Sequence, residues 1–556
     1  MLSVATGYNP DYLLKEVATG RENYYTGAVA EGEPPGRWWG AGADTLGLRG
    51  EVDAQDMTAI YSRFLDPRVE GFRDPSRWDE LGETATLGHA GRAYKSAEQL
   101  YAEALECEPD ASAERRDELR VDASKAVRQN VAFLDLTFSV QKSVTLLHTA
   151  FEAEEVKARN AGLEQEAAEW GRLRETVEDA IWRGNDAALA YLEEHAGYAR
   201  VGHHGGKAGR WVDAQNWIVA SFFQHDSRDH DPQLHIHNAT LNRQHSVDDG
   251  QWRTLDSRAI HRLKPAAAAV GERTTDEALI HELGVAMAMR PDGMAREATA
   301  VDPGSRDMFS SRSHKISGQA AELIEAFEAA RGREATGLER DRIKRQATMA
   351  TRTAKSHGGE TREAFLARVD GELRAEVAGG LAGIAHSARA QHEQERAAPE
   401  RFAAAEVIEA ALEAVQAKKT SFTHADLVRE INALLPDHLG TPEGTDVAVV
   451  LHGLADQAVA LVEQVDAAAP GEGLEPEMLR RRDGSSVYSA PGGRSYVTRD
   501  HLRSENRLRA ATGPRDGARL TPSQAERFVE HLRGEGIELG VDQAAAVTGV
   551  LTSGAR

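Results

Sequence analysis

The chain has 556 residues, too many for one hydrophobic core and, at about 150 residues per domain, enough for three to four domains. Its composition, 41% hydrophobic and 28% charged, is that of a globular protein, and no apolar run of about 18 residues exists that could span a bilayer. The net charge of −23 excludes a uniformly basic nucleic-acid-binding surface, but a basic groove set among acidic solvated helices remains compatible with it.

The opening MLSVATGYNP has neither the basic start nor the apolar stretch of a secretory signal, and the single cysteine, Cys107, has no internal partner. Both features predict a cytoplasmic protein. In chain order, LSVAT reads as a strand, Asn9-Pro10-Asp11 as a helix start, and YLLKEVA as helical to near Gly20, before a turn-like GRENYYTG. Residues 93 to 128 and 150 to 196 have helical spacing. FLDLTFSV (133 to 140) and LHIHNATLN (234 to 242) alternate like strands. Strands mixed with long helices predict an α+β or α/β first domain, residues 1 to 360.

Residues 361 to 403 are rich in Ala, Glu and Arg with few large apolar side chains, which predicts a helical surface linker. From 404 to 490, AAEVIEAALEAV, SFTHADLVREINALL and short strand-like pieces predict a winged-helix-like domain. Helical patterns return in residues 491 to 556.

The densest chemical signal is FFQHDSRDHDPQLHIHNATLN, residues 222 to 242. His235 and His237 are two apart on a predicted strand and project from one face, and His225 returns from the far side of the DPQL turn. Three imidazoles with open coordination positions suit a divalent ion acting as a Lewis acid, whereas a closed structural zinc site would take four ligands. His230, in the turn, is expected to face solvent.

The segment HDSRDHDPQLHIH resembles the three-histidine motif of the MobF-family conjugative relaxases, HUH endonucleases that nick plasmid DNA at an origin of transfer. NYYTG, GRWWGAGADTLGLRGEVD (Gly36 to Asp53), LDLTFSVQKSV, YARVGHHGG and ATMATRTAK follow in that family's order over roughly residues 1 to 360. The resemblance implies an α+β relaxase domain, an antiparallel sheet with flanking helices. It implies that His225, His235 and His237 bind the metal while a tyrosine attacks the phosphate and stays joined to its 5′ side. Tyr24 and Tyr25 are the neighbouring pair expected to supply the nucleophile, Tyr24 ahead, with Tyr8 and Tyr12 as the alternatives. Asp135 is the acid expected beside the metal, either orienting a histidine or accepting the phenol proton.

On the same reading, single-stranded DNA at an origin of transfer is the partner, with accessory and coupling proteins of a conjugation system. Expected DNA contacts are Lys142, Ser143, Lys207, Arg210, Arg228, Arg342, Lys344, Arg345, Arg352 and Lys355, with Trp38, Trp39 and Trp252 stacking on bases. Mg²⁺ or Mn²⁺ is the expected ion by abundance, while three imidazoles also accept Zn²⁺, Ni²⁺ or Co²⁺. Lys418, Lys419 and Arg429 are the basic candidates of the winged-helix-like segment. The terminal LGVDQAAAVTGVLTSGAR resembles the stretch before the phosphate-binding loop of RecD-like helicases, where a glutamine such as Gln543 contacts adenine. No G-x-x-x-x-G-K-[ST] loop follows, so a front part of a longer relaxase–helicase without ATPase activity is expected. The rivals are an HUH replication initiator and an inactive DNA-binding scaffold.

Overall fold

A computed structural model describes the chain apart from residues 15–33, 90–93, 203–208, 228–229, 247–248, 352–359, 394–397, 441–445, 467–475, 513–516, 538 and 555–556. Five strands form the central sheet: β1 (Leu2–Gly7), β2 (Arg37–Trp39), β3 (Phe133–Ser139), β4 (Val219–Asp226) and β5 (Pro232–Leu241). They lie in the order β1-β3-β5-β4-β2, and every neighbouring pair is antiparallel. The fold is α+β.

Alternation along the strands supplies both faces of the sheet. Leu134, Leu136 and Phe138 of β3, with Phe223, Leu234 and Ile236, join the main core under three long helices. These are α1 (Lys142–Asn160), α2 (Glu164–Ala196) and α3 (Ser257–Leu283). Phe133, Ala220, Phe222, Ala239 and Leu241 point the other way, into a smaller core with Met57, Ile60 and Tyr61 of the helix Ala54–Arg63. That second core covers only one end of its face. Towards the other end, β3 carries Asp135 and Thr137, and β5 carries His237 and His235.

A buried amide pair helps to pin β5 to α2: Asn238 donates to Asn185 Oδ1 at 2.7 Å and also to the Leu136 carbonyl at 2.7 Å. Such pairs are tied to one register, because any slip strands their polar atoms.

Within 361–403, the helices Arg362–Glu376 and Gly380–His392 differ from the expected surface linker. Phe365, Leu366, Val369, Leu373, Leu381 and Ile384 are buried in the main core. Composition concealed this because these apolar residues are few but fall on inward positions. Beyond them, the helix Ala404–Lys418, α4 (His424–Leu434) and α5 (Val447–Val459) precede a short ladder pairing Glu463–Gln464 with Tyr496–Val497. This unit docks on the part built around the central sheet through two buried arginines. Arg273 of α3 donates to Asn432 Oδ1 and the Pro436 carbonyl, and Arg296 donates to the Asn432 and Leu435 carbonyls. No described helix is long and apolar enough to cross a membrane.

Candidate active site

The antiparallel register sets Asp135 opposite Ala239 and Thr137 opposite His237. Asp135 therefore sits diagonally across from His237, and its two carboxylate oxygens lie 3.0 and 2.8 Å from His237 Nδ1. The Thr137 hydroxyl donates to Asp135 Oδ1 at 3.3 Å. His235 Nδ1 donates to the Gln233 carbonyl at 2.9 Å, since a carbonyl can only accept. With Nδ1 committed on both rings, each lone pair falls on Nε2. The two rings are 5.0 Å apart. A carboxylate and a carbonyl behind two imidazoles, at a half-exposed sheet end, form a donor set that fits a divalent cation.

His225 is not with them. Gln224 pairs with His235 and Phe222 with His237, so Phe222 and Gln224 share the histidine face and Phe223 and His225 take the opposite one. A one-residue register shift follows between Gln224 and Asp226. The His225 ring lies 5.1 Å from Phe223 and 5.6 Å from His148 of α1. Ligand atoms of His148, Glu178 and His225 all fall within 4.8 Å of one another. The convergence of three imidazoles expected from the sequence is thus not the arrangement found. Strand parity, which spacing across a turn does not reveal, decides the side.

That second cluster is buried and charged. His148 Nε2 lies 2.8 Å from Glu178 Oε1, and Arg174 bridges Glu178 and Glu155. Burial opposes ionisation of Glu178, but the hydrogen bond from His148 and the nearby positive charges hold its carboxyl down to about 2. Burial pushes the His148 imidazole below its ordinary value. Neither residue was singled out from the sequence. A histidine inside the apolar run TLLHTAF was the signal that could have found the first.

The TrwC relaxase family model matches residues 6–376, well over half of the chain. The chain belongs to the TrwC relaxase family. It is also 27% identical over 241 residues to the multifunctional conjugation protein TraI of Escherichia coli, covering 43% of this chain and 9% of TraI. The match thus spans less than a tenth of that relative. Among solved structures, the conjugative relaxase TrwC in complex with oriT DNA is similar in a copper-bound form (23% identity, TM-score 0.43, 67% of this chain and 98% of that one). Its metal-free complex with oriT DNA matches at 23% identity and TM-score 0.39, over 70% and 98% of the two chains.

Within this TrwC-family chain, the expected DNA contacts divide sharply. Ser143 is fully buried; its hydroxyl accepts from the Ala298 amide at 2.8 Å and its own amide donates to Glu297. Lys142 donates to the Pro232 carbonyl at 2.6 Å, and burial pushes its amine down to about 8. Both belong to the packing of α1 rather than to a DNA-facing surface: the start of that helix is covered by the strand Arg296–Ala298 and the β5 entrance. Arg210, Arg342, Lys344 and Arg345 are exposed. Lys207, Arg228, Arg352, Lys355 and the pair Tyr24 and Tyr25 lie outside the described residues.

Tyr8 is exposed at the end of β1. Trp38 and Trp252 pack against the smaller core and Trp39 against the main one, each partly buried. His230 is half-buried at φ 59°, with Nδ1 3.6 Å from Asp226. In the helical unit, Lys418 and Arg429 pair with Glu430 and Lys419 pairs with Asp426, all at 2.7 Å, which offsets their charge. Gln543 caps its own helix, accepting from the Gly540 amide at 2.9 Å.

Proposed function

We propose that this TrwC-family relaxase nicks one DNA strand at an origin of transfer and passes it on, using Tyr24 or Tyr25 as nucleophile. The observation that carries this reading is the Asp135–His237 contact beside His235, which sets two imidazole Nε2 atoms at the open end of the sheet. His235 and His237 would hold a divalent ion, Mg²⁺ or Mn²⁺ in the cell. His225 is assigned as the third ligand on the motif alone. Its ring lies against His148, so joining the other two requires it to leave that contact. When bound, such an ion polarises a phosphate oxygen and offsets the charge gathering in the transition state.

The protein's own groups do the rest. The phenol oxygen forms a bond to phosphorus, the bond from phosphorus to the 3′ oxygen breaks, and that oxygen leaves as a hydroxyl with a proton. A 5′-phosphotyrosine remains, which the same steps in reverse religate. Asp135 is engaged by His237 and Thr137, which supports an orienting role over that of base to the phenol. Single-stranded DNA is the partner, and no ATP hydrolysis is expected of a sequence with no G-x-x-x-x-G-K-[ST] loop.

The test is cleavage of single-stranded oligonucleotides carrying the cognate origin, with Mn²⁺, on a denaturing gel. Cleavage that disappears with EDTA and in the His235→Ala/His237→Ala double variant supports the proposal. Absence of cleavage on any cognate DNA would leave the inactive DNA-binding scaffold.

A further inference from the structure

Far along α2 from the candidate active site, a second group of imidazoles gathers where the relaxase part meets the helical unit. Tyr191 and His195 lie one turn apart in the last turns of α2, and His452 and Asp456 lie one turn apart on α5, so each pair shares a helix face. His424 opens α4 and completes the group. His424 Nε2 lies 3.0 Å and His452 Nε2 3.7 Å from the same oxygen, Asp456 Oδ1. The two imidazoles are 4.3 Å apart, and the three ligand atoms lie within 4.8 Å of one another. Ligands about 2.0–2.2 Å from a tetrahedral zinc stand roughly 3.3–3.6 Å from each other, so little adjustment separates this arrangement from a coordinated one.

We propose that His424, His452 and Asp456 form a zinc-class divalent cation site that ties α4 to α5 on the face of the helical unit that meets the end of α2. Two imidazoles and a carboxylate, with both Nε2 atoms turned to one oxygen, are the ligand chemistry of Zn²⁺, Co²⁺ or Ni²⁺ and not of Mg²⁺. The Tyr191 hydroxyl lies 3.5 Å from His452 Nδ1, behind the ring, where it can accept from Nδ1–H when Nε2 coordinates. His195 stacks on His452 at 4.6 Å and 13°, so its lone pairs run alongside those of its neighbour and do not converge with them. It is a wall of the site, and the fourth position falls to solvent. Asp456 is 63% exposed, giving an ion a way in.

The site shares no residue with His225, His235 and His237, so the two can be counted separately. The experiment is a Zn²⁺ titration by calorimetry of the full metal-stripped chain in the His235→Ala/His237→Ala background, with bound metal counted by elemental analysis. One equivalent is expected to remain. Adding Asp456→Asn, at an exposed position where folding is not at stake, is expected to weaken that binding at least tenfold, and His452→Gln to abolish it. Tyr191→Phe is expected to weaken it several-fold while far-UV circular dichroism stays unchanged. Absence of Zn²⁺ binding in the double-alanine background, or unchanged binding with Asp456→Asn, would overturn the proposal.

Discussion

Both carboxylate oxygens of Asp135 lie within 3.0 Å of His237 Nδ1, across two antiparallel strands more than a hundred positions apart in sequence. An acid so placed sets the direction and tautomer of the imidazole in front of it. Asp135→Asn keeps the shape but lets the ring turn, and it is expected to lower Mn²⁺-dependent cleavage about 10- to 100-fold with little change in DNA affinity. Cleavage kinetics beside fluorescence-anisotropy binding check this; a loss confined to DNA binding would refute the orienting role.

His225 lies against His148, whereas the proposed ion site asks it to join His235 and His237. If the first competes with the second, the apparent ion affinity is reduced by the fraction of molecules in which His225 is turned away. His148→Leu fills the volume without holding His225, and it is expected to lower the Mn²⁺ concentration for half-maximal cleavage by about two- to tenfold. An unchanged or raised requirement would mean that His225 does not move between the two positions.

Asp276 of α3 is fully buried, and burial with the nearby Glu272 pushes its carboxyl up to about 8. A carboxyl whose folded value is raised favours the folded state below its unfolded value near 4 and loses that contribution as pH rises through about 8. Urea midpoints of the wild type are expected to fall between pH 5 and 9, by at most about 1.4 kcal/mol per pH unit from this group. Asp276→Asn is expected to flatten that slope, and an unaltered slope would contradict the assignment.

Arg296 is buried and gives its guanidinium to backbone carbonyls at the end of α4 and to Asp437. Arg296→Met leaves the buried carbonyls unpaired, a cost of about 1–3 kcal/mol for unsatisfied buried acceptors. Limited proteolysis is expected to release the helical unit faster in this variant. Equal protection would place the docking energy elsewhere.

Much of the candidate site was legible where it is local. LDLTF and LHIH alternate as strands do, and H-x-H on a strand puts His235 and His237 on one face by geometry alone. What stayed hidden depends on partners distant in sequence. Asp135 was expected beside the metal histidines only through the family resemblance, since nothing in the residues around it announces that register will bring it to His237, and nothing in KSVTLLHTA shows that Ser143 caps a neighbouring strand and not a DNA strand. His225 illustrates the limit from the other direction: its spacing allowed it to turn back towards His235, while the pairing of Gln224 with that residue sends it to the opposite side. The grouping of His424, His452 and Asp456 was invisible for the same reason, since it exists only once α4 and α5 have packed.

The central claim, phosphotyrosine formation at the N-terminus, is tested most directly by trapping the protein on a cognate single-stranded oligonucleotide with Mn²⁺ and mapping the covalent adduct by peptide mass spectrometry. An adduct on Tyr24 or Tyr25 that is absent with EDTA is the expected result. An adduct on Tyr8 or Tyr12 would keep the chemistry but overturn the nucleophile, and no adduct on any tyrosine would contradict the claim itself.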